Sequence, residues 1–280
     1  MNDLLKKLSP LHQAYIQQTI DTFGSDHYTT AYAYYDIGKS NKKSGDYNIA
    51  LACFEAALNI QEKVFDNTHS DKIHPDIARS YVNIAECHAN LGNSEKALEY
   101  YNNAIKCGLE VLETQRRNPE KKDISYIADI YVFLGVAYSA IKDFDNAIEY
   151  KLKALNVREM ILDKNSRDII ESCLLLAMDY SHINDNDNTI KYCQKVLQML
   201  KESSDKDDGP SHAISENLGL SNDEIIGATY GILGRSYFLK NEYSKALEIF
   251  EKVLDISERL GDIDSVIFTK QLIAEIKQKL

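Results

Sequence analysis

One pattern is written five times along this chain, and it constrains the fold more than any other feature. The copies start at Tyr34, Tyr81, Tyr131, Cys173 and Tyr230 and align without gaps across two helix lengths. Three residues after the anchor stands an aliphatic: Ile37, Ile84, Leu134, Leu176, Leu233. Beside it is always a small residue: Gly38, Ala85, Gly135, Ala177, Gly234. The small residue lets a second helix approach while its neighbour fills the core, and the anchors Tyr34, Tyr81, Tyr131 and Tyr230 are expected to be core rather than a binding ladder. Further on come Ala50, Ala97, Ala147, Thr189 and Ala246, then Phe54, Tyr101, Lys151, Cys193 and Phe250, then Leu58, Ile105, Leu155, Leu197 and Leu254. Spacings of three and four put these on one stripe of each helix. A short polar turn separates the stripes: SGD, LGN, IKD, IND and KNE. Each copy therefore reads as an antiparallel helical hairpin, which buries its apolar face only by stacking on its neighbours.

Composition agrees. The 280 residues hold only 12 Gly and 4 Pro, fewer than strands and tight turns consume. Pro10, Pro75, Pro119 and Pro210 all fall between the periodic stretches, where a helix breaker does no harm. In the fourth copy Cys173, Thr189, Cys193 and Val196 depart from the columns, which predicts looser packing there.

These columns resemble the tetratricopeptide repeat, whose small and large positions run in the same order. The steps between small residues are 47, 50, 42 and 57, longer than the roughly 34 residues of the basic unit. Long second helices and the stretch HPDIARSYVNIAE (74–86) are similar to the kinesin-light-chain type. The resemblance implies an all-α, right-handed superhelical solenoid of five hairpins, at about 28–64, 76–115, 124–161, 167–202 and 222–260. Residues 1–27 and 261–280 are expected to supply capping helices, over Leu4–Phe23 and Ile263–Leu280, because the ends of an array otherwise expose apolar surface. RRNPEKKD (116–123) and the acidic stretch 201–224 read as inserted loops. The second ends in Ser221-Asn222-Asp223-Glu224, a capping-box pattern.

No site for chemistry is legible. Neither GxxxxGK[ST] nor GxGxxG occurs, so no phosphate-cradling loop is expected. The seven histidines form no HExxH. Cys87 and His88 are adjacent and point apart on a helix, and 205–210 lacks the spacing of a calcium loop. No metal, no cofactor and no catalytic residue are expected, and the chain reads as non-enzymatic. Its five cysteines, Cys53, Cys87, Cys107, Cys173 and Cys193, form no CxxC and sit in helical patterns, which suits a reducing compartment. With no signal-peptide pattern at the start and no long apolar run, cytoplasmic placement is expected. The formal net charge of −11 disfavours nucleic acid and anionic membrane surfaces; basic protein surfaces fit better.

The resemblance implies a peptide-binding groove on the first helices of the hairpins. Counting from each anchor, the positions two before, one after, two after and five after face it. They give Tyr32, Tyr35, Asp36 and Lys39; Arg79, Val82, Asn83 and Glu86; Asp129, Val132, Phe133 and Val136; Glu171, Leu174, Leu175 and Met178; and Ala228, Gly231, Ile232 and Arg235. Only Asn83 matches the clamp that chaperone-binding repeats use for a terminal carboxylate. The apolar middle suits a protein or peptide segment with two or three hydrophobic anchors, held by a scaffold or adaptor. The alternative is a peptide-sensing regulatory module of a bacterial signalling system. Members of that class carry an N-terminal effector domain, for which the stretch ahead of the first repeat is short.

Overall fold

The computed structural model describes residues 2–67, 75–117, 124–204 and 221–280. The described residues are helical throughout, with no strand among them. A short α1 (Asn2–Leu5) precedes α2 (Pro10–Phe23). The hairpins follow as α3 (Tyr28–Lys43) with α4 (Tyr47–Asn67), α5 (Pro75–Asn90) with α6 (Ser94–Arg117), α7 (Ile124–Ala140) with α8 (Phe144–Ile161), α9 (Arg167–His182) with α10 (Asn186–Ser204), and α11 (Asn222–Leu239) with α12 (Tyr243–Leu260). Helix α13 (Ile263–Lys279) ends the chain. This is an all-α repeat solenoid. It divides into two units, residues 1–150 and 151–280, within α8.

One local device recurs at every hairpin turn. The middle residues Gly45, Gly92, Lys142, Asn184 and Asn241 all have positive φ, between 58° and 80°. The next backbone amide then reaches back five residues, as from Asp46 to Asn41 and from Asp185 to Tyr180, both at 2.9 Å. This is how a left-handed residue caps one helix and releases the next. Asp143 and Asp185 then accept from the backbone amides of Asn146 and Asn188, capping the second helices. Ahead of α11 the capping box is formed: Ser221 Oγ accepts from the Glu224 amide and the Glu224 carboxylate from the Ser221 amide.

The repeat columns meet as aligned. A methyl group on Gly38 would lie 2.7 Å from the ring of Phe54, and one on Gly234 3.1 Å from that of Phe250. The small column of the first helix thus faces the aromatic column of the second. Phe54 is fully buried and has nowhere to retreat. Gly38→Ala is therefore expected to cost about 1–3 kcal/mol through overpacking, despite alanine's better helix propensity, read as a lower urea midpoint.

Three expectations need correction. The stretch Leu4–Phe23 is two helices rather than one: Pro10 has no amide to continue a helix, so it opens α2 behind the cap Ser9. The fourth hairpin is not loose, since Cys173, Thr189, Cys193 and Val196 all show 0% exposure. The Thr189 hydroxyl is spent on the Asp185 carbonyl at 2.7 Å, so its polarity leaves nothing unpaired. Of the tyrosine anchors only Tyr34 is fully buried; Tyr81 and Tyr131 are half-buried against Tyr100 and Tyr150. The loops expected at 116–123 and 201–224 lie largely outside the described residues.

All five cysteines are buried thiols. Burial pushes Cys53, Cys87, Cys107 and Cys193 up to about 12 and Cys173 up to about 11, because a thiolate there would lose its hydration.

Candidate functional site

The groove columns behave differently from one another. One after the anchor, Tyr35, Val82, Val132 and Leu174 are buried; two after it, so are Asn83, Phe133 and Leu175. Within residues 1–150, Val82 and Phe133 share a cluster with Ala85, Tyr101 and Ala137, and Val136 packs against it. Val82, Val132, Phe133, Leu174 and Leu175 are therefore buried positions and offer no open apolar surface. The column five after the anchor stays accessible: Lys39, Glu86 and Val136 are half-buried, Met178 and Arg235 exposed. Two before the anchor, Tyr32 and Ala228 are exposed and Arg79 and Asp129 half-buried, while Glu171 is buried and paired with Arg167 at 3.2 Å.

In residues 1–150 the first helices α3 and α5 carry a connected polar network. Tyr28 Oη donates to Asp76 Oδ2 at 2.6 Å, and Asp76 pairs with Arg79. The Arg79 guanidinium lies 4.7 Å over the Tyr35 ring. Asn83 Nδ2 donates to Tyr35 Oη at 3.1 Å and to the Arg79 carbonyl at 3.0 Å. Lys42 Nζ donates to Asn83 Oδ1 at 2.7 Å and Glu86 Oε2 at 2.6 Å, while Lys39 sits 4.0 Å from Asp36. Burial, followed by the bond to Asp76, pushes the Tyr28 hydroxyl above its ordinary range. Both amide donors of Asn83 are thus committed inside the chain. The network joins four expected residues, Tyr35, Arg79, Asn83 and Glu86, through three that the repeat columns did not single out: Tyr28, Lys42 and Asp76.

Residues 151–280 contain the open apolar feature. A cavity of about 850 Å³ is bounded by α11, α12 and α13, with Met178 and Ser181 of α9 at one side. Ala228, Gly231, Ile232 and Arg235 line it, as do Leu260, Phe268 and Leu272. Its origin lies in one column. Where the other copies place a buried side chain one after the anchor, the fifth has Gly231, and nothing stands within 4 Å of where its Cβ would be. Phe268 and Leu260 are 62% and 47% exposed. The α13 wall was not expected; its signal was Phe268, a large apolar residue outside the repeat columns.

Two acids also line the cavity, and both are engaged. Glu224 closes the capping box of α11. Asp262 accepts from the amide and hydroxyl of Ser265, which holds its carboxyl below the usual range. Among the described residues no group of three or more His, Cys, Asp and Glu is placed to hold a metal ion, and no helix is long and apolar enough to cross a membrane.

Stacked helical hairpins with an accessible first-helix face define a helical-repeat protein. Residues 31–64, 78–106, 128–159 and 227–260 match models of the tetratricopeptide repeat, and the chain belongs to the tetratricopeptide-repeat proteins. It is 38% identical over 77 residues to the photosystem I assembly protein Ycf3 of Rippkaea orientalis, covering 27% of this chain and 38% of that one. The chain spans 17% to 38% of the length of the first curated relatives it matches. Among solved structures it resembles BtubC (BKLC) from P. vanneervenii, with TM-score 0.61, 17% identity and 92% of each chain covered. It also resembles a Podosopora anserina putative kinesin light chain with nearly identical TPR-like repeats, with TM-score 0.54, 16% identity, and 84% of this chain and 98% of that one covered. At those identities the likeness is one of fold. Tetratricopeptide-repeat proteins are protein-interaction scaffolds.

Proposed function

We propose that this chain is a non-enzymatic scaffold or adaptor that holds a protein or peptide segment by apolar anchors in the cavity framed by Met178, Gly231, Ile232 and Phe268. The observation that carries this reading is the absent side chain at Gly231, which opens apolar surface on the face where the repeat pattern expects a ligand. Its volume is that of a ligand pocket, and its lining suits two or three hydrophobic side chains. The acidic balance of 43 Asp and Glu against 32 Lys and Arg favours a partner with basic surroundings. The placement that goes with this reading is cytoplasmic. The experiment is site-specific photo-crosslinking from Ala228, which is exposed and lines the cavity, compared with Leu11, which is 77% exposed on α2. A partner captured from position 228 and not from 11 supports the reading. Equal capture from both positions overturns it.

A further inference from the structure

The aromatic column of the second helices α4 and α6 shares a core with the column six after the anchor in the following first helix. In residues 1–150, Phe54 clusters with Cys87, and Tyr101 with Ala137. The same two columns bring Lys151 of α8 to Asp179 of α9. Both are about 97% buried, and Lys151 Nζ donates to Asp179 Oδ2 at 2.5 Å and lies 3.5 Å from the Leu175 carbonyl. Elsewhere these columns hold Phe54, Tyr101, Cys193 and Phe250 on one side and Cys87, Ala137 and Ser236 on the other. The two positions that depart in charge are the two that touch.

A buried ion pair of this kind is a poor stabiliser, because desolvation offsets its attraction. Here the balance is visible: burial holds the Lys151 ammonium below its ordinary range even with Asp179 beside it. The pair does, however, discriminate. If α9 stacked on the second helix of another hairpin, Asp179 would meet Phe54, Tyr101 or Phe250. If α8 received the first helix of another hairpin, Lys151 would meet Ser40, Cys87 or Ser236. Each mispairing strands a buried charge. Arrays of similar hairpins are prone to misassembly, and a single buried polar pair is a known means of fixing register in repetitive helical structures.

We propose that Lys151 and Asp179 form an address pair that selects α9 as the neighbour of α8, so that hairpins with otherwise interchangeable apolar faces stack in one order. The test is the double variant Lys151→Phe/Asp179→Ala, which gives both positions residues used in other copies. The full chain is refolded from denaturant, and the peptides of α8 and α9 are followed by hydrogen exchange with mass spectrometry. The expected result is a melting temperature at or above the original, together with at least a fivefold rise in a second, poorly protected population. A single protected population in unchanged yield overturns the proposal. A size-matched variant, Lys151→Met/Asp179→Leu, guards against one poorly fitting replacement. If neither variant folds, the pair serves stability rather than selection, and the proposal again falls.

Discussion

Asp179→Ala is expected to destabilise the fold by about 3–5 kcal/mol, because it removes the carboxylate to which the buried Lys151 ammonium donates. The whole stability of a domain is about 5–15 kcal/mol, so urea unfolding should show the loss as a large drop in midpoint. The pair from Lys252 to Glu248, at 2.8 Å and solvent-exposed, is the control; Glu248→Ala should leave the midpoint in place, as solvent screens such pairs. A pH series adds a check with a definite sign. Lys151 in the folded chain is held below the ordinary value of 10.5. Between the folded and unfolded values the unfolded chain binds more protons, so this group's contribution rises with pH. Without Asp179, which favours the charged form, the folded value falls further. The deficit of Asp179→Ala relative to the original chain should therefore shrink from pH 7 toward pH 10, the buried thiols cancelling in the difference. A deficit no larger than the control's would mean that the carboxylate does not neutralise a buried lysine.

Gly231→Leu is expected to abolish partner binding, by at least about 100-fold or nearly 3 kcal/mol, while raising the melting temperature. The opposite signs are the point. Leucine occupies the same column in the fourth copy as the buried Leu174, and the space at Gly231 is open. Replacing a mid-helix glycine removes a penalty of about 1 kcal/mol, and the side chain buries surface that the cavity leaves wet. The same side chain takes the place of the ligand's anchor. Met178→Glu and Phe268→Glu, from the two sides, should weaken binding by desolvating a charge against that anchor, with little effect on melting because both residues are exposed. Calorimetric titration with the crosslinked partner measures all three. Retained affinity in Gly231→Leu would move the binding site off this cavity.

The fold was legible in the sequence because a repeated core writes itself in repeated columns. Gly38 against Phe54 follows from residue type and spacing alone, whereas the left-handed conformation of Lys142 at its hairpin turn does not. The groove was less legible because exposure depends on what a neighbouring helix covers, and a column number does not carry that. Val82, Val132 and Leu174 were placed on the right helices, yet all three are buried. Met178 and Arg235, in the column five after the anchor, stay open. Asn83 shows a second limit. Its amide was expected to face a ligand in the groove, but Tyr35 and Lys42 already satisfy it, through partners 48 and 41 residues away. The charged residue at 151 was visible as an exception in its column. Its meaning depended on Asp179, which sequence alone did not place opposite it.

The buried thiols make the chain a ready substrate for optical work. At neutral pH maleimide dyes need an accessible thiolate, and the five native cysteines offer neither access nor, with values pushed up to between about 11 and 12, the required ionisation. A sixth cysteine at exposed Ala228 and a seventh at exposed Lys96 can therefore carry a donor and acceptor pair without first removing the natural ones. Distances along the array, with and without partner, then become readable one molecule at a time.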